Sequence, residues 1–364
     1  MTQSNKTFDK AKENKEDEFY TQLSDIEKEL SHYKEHFKGK TILCNCDDPR
    51  ISNFFKYFAL NFNEFGLKKI ISTCYKNQDI DLFSQNDCEK AIYIEYTGNP
   101  NDPTSTDFST IEVKELNGDG DFRSAECIEL LKQTDIVVTN PPFSLFREYI
   151  DILIKNDKKF LIIGNQNAIT YKEIFSLIKN NKIWLGYNSG DMKFVVPNYY
   201  QPRTTRYWED EDGRKWRSLG NICWFTNLDI KKRHEELILY KTYSPEEFPN
   251  YENYDAINVD KTSDIPLDYD GAMGVPITFL DKYSPEQFEI IGLGIVGSCE
   301  FKNERKMEIL DKNGFPTGKF TINAKGTLYR KHLQNDKKPA AFKDCETGEL
   351  YQSIYARILI KRKK

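Results

Sequence analysis

Between residues 40 and 190 the chain alternates short apolar, β-branched runs with longer stretches of helical period. The strand-like runs are TILCNC (41–46), KKIISTCY (68–75), AIYIEY (91–96), DIVVTN (135–140), KFLIIGN (159–165) and KIWLGY (182–187). The stretches SNFFKYFALNFNEF (52–65), LFREYIDILIKN (145–156) and ITYKEIFSLIKNN (169–181) repeat apolar residues every three or four positions, as one buried helix face requires. Strand, helix and strand in succession predict an α/β fold, a doubly wound and mostly parallel sheet with helices on both faces. Such sheets bind ligands beyond the carboxyl ends of their strands. Here those ends carry CNCDDP, STCY, GDGDF and TNPPF, so the chemistry is expected there.

After residue 187 the alternation stops. Residues 188–220 form a polar and aromatic excursion, followed by another strand-like run, NICWFTNL (221–228). A connection of that length inside a compact domain implies a function of its own. From about residue 240 the chain is punctuated by proline and ends in basic and strand-like segments, so two regions are expected, 1–240 and 241–364. The segment GLGIVG (292–297) fits G-x-G-x-x-G, but no strand ending in an acidic residue follows it. A glycine-rich turn packed on a core is therefore expected rather than a dinucleotide site.

Composition narrows the picture. No run approaches 18 apolar residues, and the first residues lack the apolar core of a secretory signal. These features, with eight scattered cysteines and no C-x-x-C pair, suit a reduced cytoplasmic protein. His32 and His36 stand four apart on a predicted helix. With four histidines in all and no companion ligands, a solvated helix face is expected and no metal site. The net charge of −5 hides a polarity: residues 300–364 hold 16 Lys and Arg against 8 Asp and Glu, and the rest of the chain is acidic. A positive face on an otherwise acidic chain suits a polyanionic partner.

The segment Asn140-Pro141-Pro142-Phe143 follows an apolar run that the prolines must end. Its Asn offers a side-chain carbonyl as acceptor. The two prolines fix the backbone so that main-chain oxygens face outward, and Phe143 adds a flat apolar surface. Two acceptors aimed at one point suit an NH2 group, and a ring beside them suits a planar heterocycle. The set is built to grip an exocyclic amine on an aromatic base. It needs no catalytic acid, metal or nucleophile.

These motifs identify a resemblance. NPPF resembles the catalytic motif of S-adenosylmethionine-dependent amino-methyltransferases that act on adenine N6 in DNA. Together, DEFYTQ (17–22), CNCDDP, NFFKYF, GDGDF and NPPFSLFREYI closely resemble the EcoRI-type adenine-specific DNA methyltransferases, over most of residues 10 to 240 and less distinctly through 274–292. The resemblance implies a Rossmann-like class I methyltransferase domain with C-terminal DNA-recognition elements. It also implies a monomer acting on double-stranded DNA, functionally paired with a restriction endonuclease. In such enzymes Asn140, Pro141, Pro142 and Phe143 hold and stack a target adenine extruded from the duplex.

The same resemblance implies that S-adenosyl-L-methionine is held by Phe19, Tyr20, Thr21, Asn45, Asp47, Asp48, Asp121, Phe122 and Asn140. The usual glycine-rich turn after the first strand is replaced by CNCDDP. Asp48 followed by Pro49 reads as a helix N-cap and first helical position. Asp47 or Asp48 is then left to pair with the cofactor's ammonium. The second strand offers no ribose-binding acid, so that role stays unassigned, with Thr73 or Tyr75 expected near it. In the excursion, Tyr199, Tyr200, Arg203, Arg206, Arg214, Lys215, Trp216 and Arg217 mix cations with aromatics, as contacts to phosphates and unstacked bases require. The residues leave open an RNA guanine amine or a protein glutamine amide as acceptor, and a non-catalytic DNA-binding module.

Overall fold

The computed structural model describes residues 19–75, 90–99, 108, 110–198, 200–301, 304–322 and 324–363. The chain divides into two compact units, residues 1–168 with 183–230, and residues 169–182 with 231–364.

The first unit is built on one sheet. In chain order its strands are β1 (Tyr20–Thr21), β2 (Thr41–Asn45), β3 (Lys69–Cys74), β4 (Ile92–Tyr96), β5 (Val113–Glu115), β6 (Ile136–Thr139), β7 (Lys159–Asn165), β8 (Trp184–Val196), β9 (Tyr207–Glu209) and β10 (Lys215–Thr226). In space they run β1-β8-β10-β7-β6-β2-β3-β4-β5, with β9 paired to β10. Helices α1 (Leu23–Leu30), α2 (Lys34–Phe37), α3 (Asn53–Leu60), α4 (Ala125–Lys132) and α5 (Phe146–Lys155) accompany it.

The sheet is mixed. Among the described strands of this sheet, the parallel pairs are β3–β2, β2–β6 and β6–β7. The expected mostly parallel order therefore holds at the centre and fails on both flanks. AIYIEY turns back along β3, with Ile94 opposite Ser72. Antiparallel neighbours need no helical crossover, so a strand-like run alone does not reveal their direction. The excursion at 188–220 is largely strand as well. β8 and β10 pair through it from Trp184–Thr226 to Val196–Lys215, with register shifts that mark bulges.

The central strands are apolar because both faces are covered. β2 and β6 are buried at every residue. Helix α5 buries Phe146, Tyr149, Ile150 and Leu153, one face at helical spacing. Gly164 in β7 lies under this helix, where a Cβ would come within 2.5 Å of the Phe146 ring. That absence lets Phe146 reach Phe225, with ring centroids 4.9 Å apart. Helix α1 is docked by Glu29, which is fully buried. Its carboxylate accepts from Tyr33 Oη, Tyr187 N, Asn188 N and Asn188 Nδ2, each at 2.8 Å. So many donors satisfy the buried charge and make it a structural clamp.

The second unit holds α6 (Lys172–Lys179) and two antiparallel-rich sheets. One has the order β11 (Ile257–Asn258), β12 (Met273–Pro276), β19 (Arg357–Arg362), β13 (Phe288–Leu293). The other has the order β15 (Pro316–Thr321), β14 (Met307–Leu310), β17 (Phe342–Asp344), β18 (Leu350–Ile354), β16 (Leu328–Lys331). GLGIVG lies at the end of β13, and the next element among the described residues is a strand, β14. A Cβ on Gly294 would come within 2.4 Å of Leu328 Cδ1, so this glycine serves close packing.

Candidate functional site

The carboxyl ends of β3, β2 and β6 are adjacent in the sheet, and the strand-end motifs meet there. Thr139 Oγ1, at the end of β6, donates to the Asn45 main-chain oxygen at the end of β2. Tyr149 Oη from α5 donates to Asn45 Oδ1 at 2.5 Å. Burial holds the Tyr149 phenol well above its ordinary pKa, so it stays a donor. The Phe122 ring meets Tyr149 edge-on, with centroids 5.0 Å apart. The GDGDF turn approaches closely because Gly120 lacks a side chain: a Cβ there would come within 2.6 Å of the Cys74 oxygen at the end of β3. A small cavity lies between these groups, lined by Leu43, Asn45, Thr73, Phe122, Tyr149 and Leu153.

Asn140 is 7% exposed and sits immediately after β6. Its Nδ2 donates to the Phe19 main-chain oxygen at 2.7 Å and to Thr21 Oγ1 at 3.2 Å. A carbonyl only accepts, so the Phe19 contact fixes which end of the amide is nitrogen. The other end, Oδ1, is buried and has no hydrogen-bond partner among the described residues. A buried carbonyl oxygen without a donor costs free energy unless a ligand supplies one. Pro142 departs from expectation. Its oxygen accepts from Leu145 N at 3.0 Å, closing a 3-10 turn, so it does not face outward. The Pro141 oxygen takes part in no hydrogen bond among the described residues. The Phe143 ring is stacked on Phe19 at 5.3 Å and 23°.

Phe19, Tyr20 and Thr21 are brought to this point by the sheet edge. β1 adds antiparallel to β8, with Tyr20 opposite Val195 and Thr21 opposite Phe194. Asn53 Nδ2, in the first turn of α3, donates to the Thr21 oxygen at 2.8 Å. Phe19 also packs on Phe194 and Tyr200, at 5.4 and 6.3 Å.

The turn after β2 corrects one sequence expectation. Asp48 is not an N-cap. Helix α3 begins at Asn53 and is capped by Ser52, whose hydroxyl accepts from Phe55 N at 3.4 Å. Asp48 is 2% exposed and is held by Arg50, from the main-chain N–H at 2.9 Å and from Nη2 at 2.6 Å. Asp47 accepts from Ser52 Oγ at 3.4 Å. The missing glycine has a stand-in. Cys46 adopts φ +82°, the left-handed conformation that glycine takes without cost. Burial raises the pKa of its thiol.

Asp121 repeats the Asp48 arrangement. Arg123 donates to it from the main chain at 2.8 Å and from Nη2 at 2.6 Å, and also reaches Glu148 at 2.7 Å. Sequence reasoning missed Tyr149, Thr139, Arg50 and Arg123. The spacing Asp-x-Arg, present in both DPR and DFR, was the available signal for the arginines.

The hairpin cations are largely engaged within the hairpin. Arg206 pairs with Asp191 at 2.7 Å, and Arg214 with Asp210 and Asp212 at 2.8 Å each. Lys215 donates to the Asn198 oxygen and Arg217 to the Thr205 oxygen. Trp216 stacks on Trp208 at 5.9 Å, and Trp216 Nε1 donates to Asp210. Arg203 lies 5.8 Å from the centroid of the buried Tyr200 ring. Tyr199 lies outside the described residues. His32 stacks on Tyr187 at 3.9 Å and His36 contacts the Asp229 oxygen; among the described residues no group of three or more His, Cys, Asp or Glu is placed to hold a metal ion. No helix of the described residues is long and apolar enough to cross a membrane.

Comparison with known proteins identifies the family. The chain is 53% identical over 320 residues to the Type II methyltransferase M.EcoRI of Escherichia coli, covering 83% of the chain and 98% of that protein. It is 42% identical to M.MgeORF184P of Mycoplasma genitalium, over 78% of the chain and 85% of that protein. It is 39% identical to M.MpnI of Mycoplasma pneumoniae, over 78% and 84%. No solved structure matches the chain. The family model described as adenine-specific methyltransferase EcoRI matches residues 7–363, so the chain belongs to the EcoRI family of adenine-specific methyltransferases.

Proposed function

We propose that this adenine-specific methyltransferase transfers a methyl group from S-adenosyl-L-methionine to N6 of an adenine turned out of duplex DNA, as the modifying partner of a restriction endonuclease. The observation that carries the reading is the Asn140 amide. Its nitrogen is spent on Phe19 and Thr21, and its oxygen is buried without a donor. An incoming N6 amine brings two N–H groups, one for Asn140 Oδ1 and one for the Pro141 oxygen. Accepting both draws the nitrogen toward tetrahedral geometry and frees its lone pair for the methyl carbon. Phe143 is buried and stacked on Phe19, and we assign it to the wall of the base pocket. Holding the amine in line accounts for much of the rate, because orientation replaces a bimolecular encounter. Extrusion of the base is required, since a paired adenine buries this approach.

The residues present suit the cofactor. Bound there, it supplies an electrophilic methyl on a sulfonium. We assign the strand edge formed by Asn45, Thr73, Phe122 and Tyr149 to its adenosine half. Because Arg50 occupies Asp48, we assign the ammonium to Asp47, with Phe19, Tyr20 and Thr21 covering the methionine side. Thr73, near the carboxyl end of β3, is our candidate for the ribose hydroxyls. The parallel centre of the sheet, with these groups at its carboxyl edge, supports a Rossmann-like class I methyltransferase domain. We assign DNA recognition to residues 241–364, and a lesser DNA contact to Tyr200, Arg203 and the β8–β10 hairpin.

The test is incubation with labelled S-adenosylmethionine and duplex DNA, with RNA and protein as controls. N6-methyladenine in DNA is expected. Label appearing only in RNA or protein would overturn the acceptor, and absence of cofactor binding would overturn the reading altogether.

A further inference from the structure

The cations of the β8–β10 hairpin are committed to neighbouring carboxylates and carbonyls. The opposite holds on the ribbon β14–β15 in the second unit. Lys306, Lys312 and Lys319 are exposed and form no ion pair among the described residues. The acids beside them are turned to the backbone. Glu308 accepts from Gly318 N at 3.2 Å, and Asp311 accepts from Asn313 N and Phe315 N at 2.8 and 2.9 Å. The ribbon thus presents cations while its own carboxylates close its turn.

Its apolar residues are as unusual. β15 is an edge strand, and every residue from Pro316 to Phe320 is exposed although paired to β14. Phe315, Phe320 and Ile322 are 66%, 53% and 58% exposed. Lys306 Nζ lies 5.0 Å from the Phe320 ring centroid, placing charge and aromatic on one face. Lysines on an edge strand guard against aggregation. That role does not explain three large apolar side chains left in water beside them. β14 is paired to β17 on its other side and buries Met307 and Leu310, so the exposed part is the β15 edge with its turn. A projecting β edge of this kind is what a DNA major groove, about 12 Å wide, can receive.

We infer that the β15 edge and the β14–β15 turn form a groove-reading element for duplex DNA. Lys306, Lys312 and Lys319 meet phosphates, and Phe315, Phe320 and Ile322 meet apolar base edges such as thymine methyls. The inference rests on the proposed function and names which part of the second unit recognises its substrate.

Two variants of the full chain test it. In the first, Lys306→Gln, Lys312→Gln and Lys319→Gln are combined. Affinity for a random-sequence duplex should fall at least tenfold near physiological salt, and the slope of log K against log salt should shrink by about 2.7, one condensed counterion per lysine. Cofactor affinity and the thermal midpoint should stay at wild-type values. In the second, Phe315→Ser, Phe320→Ser and Ile322→Ser are combined. This should narrow, by roughly tenfold, the affinity ratio between a duplex carrying the sequence methylated in host DNA and a random one. A wild-type salt slope in the lysine variant, or an unchanged ratio in the apolar variant, overturns the assignment. Wild-type enzyme is assayed alongside for adenine methylation. If it methylates DNA while the variants bind normally, the ribbon assignment alone is lost; if it methylates no DNA, the proposed function is lost too.

Discussion

Asn140 Nδ2 donates to the main-chain oxygen of Phe19, 2.7 Å away and 121 residues earlier in the chain. This contact decides which end of the amide faces the site, because a carbonyl refuses the other orientation. Asn140→Ala removes the acceptor and should lower kcat by roughly 10²-fold, the scale of losing one preorganised polar contact to the reacting group. Asn140→Asp keeps an acceptor but sets a carboxylate against the Phe19 oxygen. It should be at least as impaired, with the N-terminal segment loosened as well. Single-turnover methyl transfer and cofactor titration separate the two effects. Near-wild-type turnover in the Ala variant would remove Asn140 from the reaction.

Tyr149 supplies the hydrogen bond to buried Asn45 Oδ1. Tyr149→Phe keeps the ring under Phe122 but strands that oxygen, at a cost of about 1–3 kcal/mol. Denaturant titration should show the loss in the midpoint with an unchanged slope. If the strand edge at Asn45 holds adenosine, cofactor affinity falls in parallel.

Cys46 stands at φ +82° where a glycine would be unstrained. Cys46→Gly should leave stability within about 1 kcal/mol, since relief of strain offsets the greater chain entropy of glycine. A β-branched residue is far less compatible with this backbone. Cys46→Val should therefore be clearly less stable than Cys46→Gly when both are compared by thermal melting.

Arg50 is the countercharge of a carboxylate that is only 2% exposed. Arg50→Ala leaves Asp48 without its guanidinium and should cost about 3 kcal/mol, the lower end for breaking a buried pair, because Arg50 itself is half-exposed. If the cofactor's ammonium can take over Asp48, adding S-adenosylmethionine should raise the melting temperature of the variant more than that of the wild type. Equal shifts would support the assignment of Asp47 instead.

Lys69 and Lys114 hydrogen-bond to Glu95 and hold its carboxyl below the ordinary value of 4.5. A depressed carboxylate stabilises the fold above its unfolded pKa, and that contribution disappears as pH falls through the folded one. Near pH 6, Glu95→Gln should be less stable than wild type, and the two should converge as pH drops below about 4.5. A gap that stays constant down to pH 3 would show that Glu95 acts through packing alone.

The sequence made the chemistry easier to read than the architecture. DIVVTNPPF announces its own strand end, because two prolines must stop a buried ladder and leave the Asn at its edge. β2, β3, β6 and β7 were legible for a similar reason: each is a short apolar run bounded by polar turns. Strand direction was not legible. AIYIEY has the same composition whether it runs with or against β3. The hairpin 184–226 carried polar and aromatic residues typical of a loop, and only its cross-strand pairing makes it sheet. Asp48 followed by proline imitated a helix start, while Ser52 four residues on was the cap. The Asn313-Gly314 pair in the turn of the β14–β15 ribbon was a hairpin signal that could have been used.

β1 has its place in the sheet through β8, where Tyr20 faces Val195. The segment that orients the Asn140 amide is therefore made before its partner strand, and it cannot dock until residues near 195 have left the ribosome. The NPPF motif is synthesised well before it can be armed. A nascent or truncated chain that ends short of β8 carries the complete motif and has nothing to hold its amide in the working orientation.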